Sequence, residues 1–284
     1  MDTRARFDRT TQDVGNIVKL EHVNLTVPDQ HLATLFYVSG LGLTRDPYLM
    51  TGVDNMWVNA GEAQFHLPTR EPQLVRGTIG LVVPDLAPLL ARLRNVSEAL
   101  AGTRFSFREH AGHVDATCPW GNRIRLHAPD KGRFGTRTLG MPYIEFDVAP
   151  GTVQSIAKFY REILAAPSRV DDRTAIVTVG AAQSLRFKET DATIAPYDGH
   201  HMQIYLADFS GPYERLRARD LISRETDDHE YRFVDIVDMQ SGAVQFTIEH
   251  EVRSMRHPLF GRPLVNRNPA QTNQTYVPGQ DAYR

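Results

Sequence analysis

The sequence predicts an α+β protein built of four βαβββ modules that pair into two barrel-like halves. Two observations predict it. One strand-to-helix phrase recurs four times along the chain, with a period of roughly 55 to 65 residues. After each copy come short alternating runs separated by turn residues, the pattern of strands that follow a helix.

The first copy is LEHVNLTVPDQ, Leu20–Gln30, in which apolar Leu20, Val23, Leu25 and Val27 are interleaved with polar residues before the chain breaks at Pro28-Asp29. LVVPDLAPLLARL from Leu81, EFDVAPGTVQSIAKFYREIL from Glu145 and QIYLADFSGPYERLRARDL from Gln203 repeat it. In the helical parts, Leu32, Leu35 and Phe36, then Leu86, Leu89, Leu90 and Leu93, then Ile156, Phe159, Tyr160 and Ile163 fall at i, i+3, i+4 spacing, so each helix has one apolar face for a sheet. Gly40 to Gly42 reads as a helix stop, and PWGNR at Pro119 and QSGAV at Gln240 read as hairpin turns. A single module leaves a sheet face uncovered, so modules must close against one another. The expected division is residues 1–16 as an amino-terminal tail, 17–130 as the first half, 141–255 as the second, and 256–284 as an irregular tail. That carboxy-terminal tail lacks periodicity and is rich in Pro, Asn and Gln; it is expected to be disordered, or to strap across a neighbouring half or across the second subunit of a homodimer.

Composition narrows the function. A hydrophobic share of 41% and a formal charge of −2 fit a globular protein and argue against nucleic acid as a partner. The lone Cys118 excludes an intrachain disulfide and a CxxC metal knuckle. Without an apolar leader or a long apolar run, the expectation is a cytoplasmic protein with no membrane partner and a small-molecule substrate. His110 and His113 fall at a hairpin loop and read as exposed.

The fourfold module, FYREIL after the VAP helix start, GLGL at Gly40 and CPWGNRIRLHAP resemble the vicinal oxygen chelate superfamily, which includes glyoxalases, extradiol dioxygenases and drug-resistance proteins. The resemblance implies a divalent metal (Fe, Mn, Zn, Ni or Mg) in a cupped sheet, held by first and last strands of paired modules and chelated by two neighbouring substrate oxygens. His22 falls on a ligand position, where it reads either as a ligand or as a structurally bonded histidine; His66 and His127 leave the same choice open. Arg125 stands where a glutamate ligand is usual, so the first-half residues His22, His66 and Arg125 suit an anion as well as a metal. In the second half His201 and Glu249 are the expected ligands, with Glu145 as a third and Tyr143 or Tyr205 as a proton carrier. A bulge in the last strand would present His250 in place of Glu249. Tyr143 at a position where a histidine is usual breaks the two-His, one-Glu set of the dioxygenases, which favours lyase or isomerase chemistry. The rival expectation is a metal-free binding protein that sequesters a small molecule.

Overall fold

The computed structural model describes residues 8–49, 52–226, 229–268 and 271–277. The order strand, helix, three strands occurs four times. Module one is β1 (Ile17–Asn24), α1 (Gln30–Ala33) running into a π-helix (Thr34–Gly40), β2 (Thr44–Arg45), β3 (Asn55–Ala60) and β4 (Ala63–Pro68). Module two is β5 (Gly77–Val82), α2 (Leu86–Val96), β6 (Ser106–His110), β7 (His113–Thr117) and β8 (Arg123–His127). After a short α3 (Lys131–Phe134), module three is β9 (Gly140–Val148), α4 (Val153–Leu164), β10 (Ser168–Asp171), β11 (Thr174–Thr178) and β12 (Ser184–Glu189). Module four is β13 (His201–Leu206), α5 (Ser210–Arg217), β14 (Ile222–Glu225), β15 (Glu230–Val237) and β16 (Val244–Ser254).

The helices start where capping chemistry allows. Asp29 and Asp85 accept hydrogen bonds from the backbone N–H groups of Leu32 and Ala87, satisfying donors that have no partner inside the helix. The π-helix ends at Leu41, followed by Gly42 at φ +76°, a conformation for which glycine carries no penalty.

The strands form two eight-stranded mixed sheets, each built from a pair of modules, and the modules do not pair in chain order. The first sheet runs β14-β15-β16-β13-β1-β4-β3-β2, joining module four to module one; the second runs β10-β11-β12-β9-β5-β8-β7-β6, joining three to two. The expected pairing of modules one with two and three with four is therefore not the one seen. Part of the physical reason lies in β5. A side chain at Gly77 would collide with the Glu145 carbonyl of β9, and one at Gly80 with the Tyr143 ring, so these glycines admit β9 as the neighbour of β5.

Apolar strand faces and helices share one core, with Phe36, Phe65, Phe159 and Phe187 fully buried in it. Gln183 ties the sheets together: its side chain bonds Leu20 N at 3.1 Å, Leu20 O at 2.9 Å and Met141 O at 3.0 Å. The tail crosses module one of its own chain. Arg262 Nη2 meets Asp46 Oδ2 at 2.9 Å, Asn266 exchanges two hydrogen bonds with the Gly61 backbone, and Phe260 lies edge-on to Tyr205. No helix among the described residues is long and apolar enough to cross a membrane.

Candidate metal centre

In β1 the inward apolar residues are Leu20 and Val23, three apart, where an uninterrupted strand keeps an even spacing. The pairing with β13 shifts register between Leu20 and His22, so Glu21 is an extra residue and both Glu21 and His22 turn to the face away from the core. That bulge puts the Glu21 carboxylate 3.1 Å from His22 Nδ1. Nδ1 carries the proton that Glu21 accepts, which leaves Nε2 with a free lone pair. Both residues are buried, and His22 Nε2 has no protein partner.

Pairing register brings two further donors beside it. His22 lies opposite Gln203 in β13, which makes His201 its diagonal neighbour; Gln203 in turn lies opposite Glu251 in β16. His201 Nε2 is 3.2 Å from Glu251 Oε2. Two ligands on one ion with bonds of about 2.1 Å stand about 3 Å apart, so this pair already has that separation. Donor atoms of His22, His201 and Glu251 all lie within 4.8 Å of one another.

The charge around them is organised for a cation. Arg232 bonds Glu249 at 2.5 Å and Glu251 at 2.6 Å and also reaches Glu230 at 3.0 Å; Arg253 forms an ion pair with the other Glu251 oxygen, 2.6 Å away, and lies 3.8 Å from Glu21. Four carboxylates (Glu21, Glu230, Glu249 and Glu251) against two guanidinium groups leave a formal charge of −2, which a divalent ion would neutralise. Burial alone would raise the Glu251 carboxyl, but its close interaction with His201 and the charges of Arg253 and Arg232 outweigh it and hold it well below the carboxylate range. Burial lowers His22, which keeps the imidazole neutral and able to coordinate. The unpartnered Nε2, the ionised carboxylate and the excess negative charge together fit a divalent metal ion.

The walls of this cup come from both modules. Trp57 stacks on His66 with ring centroids 3.8 Å apart and meets the His22 ring edge-on. Both nitrogens of His66 are engaged, with Asn24 Nδ2 at 2.6 Å and Asn55 Oδ1 at 2.7 Å. Burial and the neighbouring His22 and His201 push its pKa down to about 2, so it is a neutral wall residue. Gln64, opposite His22 in β4, bonds Asn59 and Asp46 instead of facing the triad. Tyr205 is fully buried with an unpartnered hydroxyl, as is the Gln203 amide.

The residues expected from sequence separate accordingly. His201 is in the cluster, Glu249 is turned to Arg232, and the carboxylate beside His201 is Glu251, two residues further along the same strand face. Glu145 stands in the other sheet, opposite Arg186, so it lies in a different cup from His201. Tyr143 is there too, bonded to His127 Nε2 at 2.9 Å with the Arg186 guanidinium 3.9 Å over its ring. Arg125 is paired in bidentate fashion with Asp115 at 2.7 and 3.0 Å. His250 faces the core, between Tyr160 and Phe233. Glu251 went unsingled in sequence because neighbouring same-face glutamates are indistinguishable until the register is known; the Leu20–Val23 spacing was the available sign of the bulge at His22. Among the described residues the second sheet carries no copy of the cluster: Thr78, Tyr143 and Arg186 stand at the register positions of His22, His201 and Glu251.

By sequence the chain matches no family model and no curated protein. By structure it is similar to glyoxalase I from Zea mays, with 14% identity over 83% of this chain and 92% of that one and a TM-score of 0.54. It is also similar to a protein from Bacillus subtilis provisionally described as a dioxygenase (13% identity, 84% and 86% covered, TM-score 0.52). The CppA protein from Streptococcus pneumoniae is a third likeness (10% identity, 84% and 99% covered, TM-score 0.50). At these identities the likeness is one of fold: the chain has the vicinal oxygen chelate fold shared by glyoxalase and dioxygenase structures.

Proposed function

We propose that His22, His201 and Glu251 hold one divalent metal ion, and that the cup around them binds a small oxygen-rich or aromatic molecule through two neighbouring oxygens. The observation that carries this reading is the buried His22 Nε2, unpartnered and oriented by Glu21, within ligand reach of a His–Glu pair. A two-His, one-carboxylate set with open positions is the ligand set of non-haem Fe(II) oxygenases, so extradiol-type ring cleavage is favoured over lyase or isomerase chemistry. Bound there, the ion would supply Lewis acidity toward adjacent substrate oxygens and, as Fe(II) or Mn(II), redox capacity.

The chain's own residues supply the remainder. Glu21 holds a proton on His22 Nδ1, and Arg232 with Arg253 keeps Glu251 ionised. The Trp57–His66 stack offers a flat wall for a planar ring. The Gln203 amide, with both polar atoms free, would orient a substrate oxygen. Burial raises the Tyr205 phenol, with the Glu21 charge adding to it, so Tyr205 stays protonated and acts as a donor.

Elemental analysis of purified wild type against His22→Ala and His201→Ala tests the centre: roughly one equivalent of metal in wild type and a large loss in both variants are expected. Equal, negligible metal in all three would remove it. Oxygen uptake by the Fe(II)- and Mn(II)-loaded protein with a panel of substituted catechols separates ring cleavage from oxygen-independent chemistry.

A further inference from the structure

We propose a second metal site, independent of the first cup, at the tip of the β6–β7 hairpin, where His110, His113 and Asp115 would bind a zinc-class ion with three protein ligands and at least one open position. His110 and His113 end and begin their strands across a two-residue turn, Ala111-Gly112, with Gly112 at φ +84°. They are direct cross-strand partners, so both imidazoles stand on one face of the ribbon. Asp115, two residues along β7, shares that face, while Val114 and Ala116 between and beyond turn into the core.

The side chains converge on one point. Their rings stack in parallel with centroids 4.7 Å apart, and each Nε2 faces the same oxygen, Asp115 Oδ2, at 3.5 Å from His110 and 3.8 Å from His113. Donor atoms of the three lie within 4.8 Å of one another. Ligands on a tetrahedral zinc stand about 3.3 Å apart, so small rotations of these partly exposed side chains complete the site. Asp115 is held ionised chiefly by its hydrogen bonds from Arg125, which donates to both carboxylate oxygens and fixes their orientation, though the nearby positive charge weakens attraction for a cation. Two imidazoles and one carboxylate favour Zn(II) over Mg or Ca, which prefer all-oxygen sets. Behind His113, 5.9 Å away ring to ring, His127 keeps a buried Nδ1 with no partner, one more imidazole nitrogen on the same face.

Nothing in the core depends on the two hairpin histidines, so their removal leaves the fold intact and isolates the binding role. The test is equilibrium dialysis of the full chain against Zn(II), with bound metal read by elemental analysis. His22→Ala is expected to retain one zinc, and His22→Ala/His113→Ala to retain none; His22→Ala/His110→Ala should weaken binding at least tenfold. Should His22→Ala fail to fold, His110→Ala/His113→Ala in the otherwise wild-type chain is expected to lower the stoichiometry by one. Zinc stoichiometry and affinity unaffected by the loss of both hairpin histidines would overturn the proposal. Failure of the first centre alone would read differently: wild type would bind a single zinc, lost with His113.

Discussion

At the scale of single residues the first cup works through the partners of its ligands. Glu21 selects the tautomer that leaves His22 Nε2 free, so it is a positioning residue. Glu21→Gln, which can still reach Nδ1 but no longer demands a donor there, is expected to weaken metal binding by about 10- to 100-fold, the usual cost of losing an outer-shell partner. Competition titration against a chelator measures it, and unchanged affinity would reduce Glu21 to a neighbour. Histidines also set the acid limit of the fold. Burial lowers His22, brings His66 to about 2 and holds His250 at about 3. The unfolded chain takes up protons near pH 6.5 while His66 and His250 stay neutral, so it binds more protons and stability falls as pH drops from about 6.5 toward 4. The fully buried His250 alone contributes up to about 1.4 kcal/mol per pH unit across that window. Urea midpoints between pH 7 and 4 should show the decline in wild type, and His250→Gln, which keeps a donor and an acceptor for Ile248 and Tyr160, should make it shallower, the His66 contribution remaining.

At the scale of elements, legibility followed periodicity. The four strand–helix phrases and their trailing strands could be read because alternation and helical spacing are local, and local pattern was enough for the βαβββ order. Glu251 was not legible beside Glu249, because the choice depends on which carboxylate Arg232 and Arg253 turn toward His201. The irregular tail had no period to read, yet its packing is specific. Arg262 reaches Asp46, a fully buried carboxylate that also accepts from Gln64 and from the backbone N–H groups of Tyr48 and Leu49. Burial would raise Asp46; the hydrogen bond from Arg262 is the largest opposing influence and helps hold it below the normal range. Arg262→Ala leaves that charge without its cation and is expected to cost about 1 to 3 kcal/mol. Thermal unfolding checks the loss, and Asp46→Asn in the same chain should recover part of it.

At the scale of the whole molecule, the pairing of modules one with four and two with three decides which residues share a cup. His22 and His201 are 179 positions apart in the chain, and β1 and β13 lie side by side. Sequence could not choose this pairing, because all four first strands carry the same apolar pattern and the discriminating features are shape-based, such as Gly77 and Gly80 admitting β9. An ion held by His22, His201 and Glu251 would clip the first module to the last. It should therefore stabilise the protein by linkage, by about 2.7 kcal/mol at a free concentration one hundred times the dissociation constant. The added protection should also be local. Hydrogen exchange with and without Mn(II), an ion that the exposed hairpin histidines should bind less well than zinc, is expected to slow in β1, β13 and β16 and to stay unchanged in β9 and β12 of the other sheet. Protection spreading instead through β9 and β12, with β1 unaffected, would place the ion in the second cup and contradict the assignment of His22.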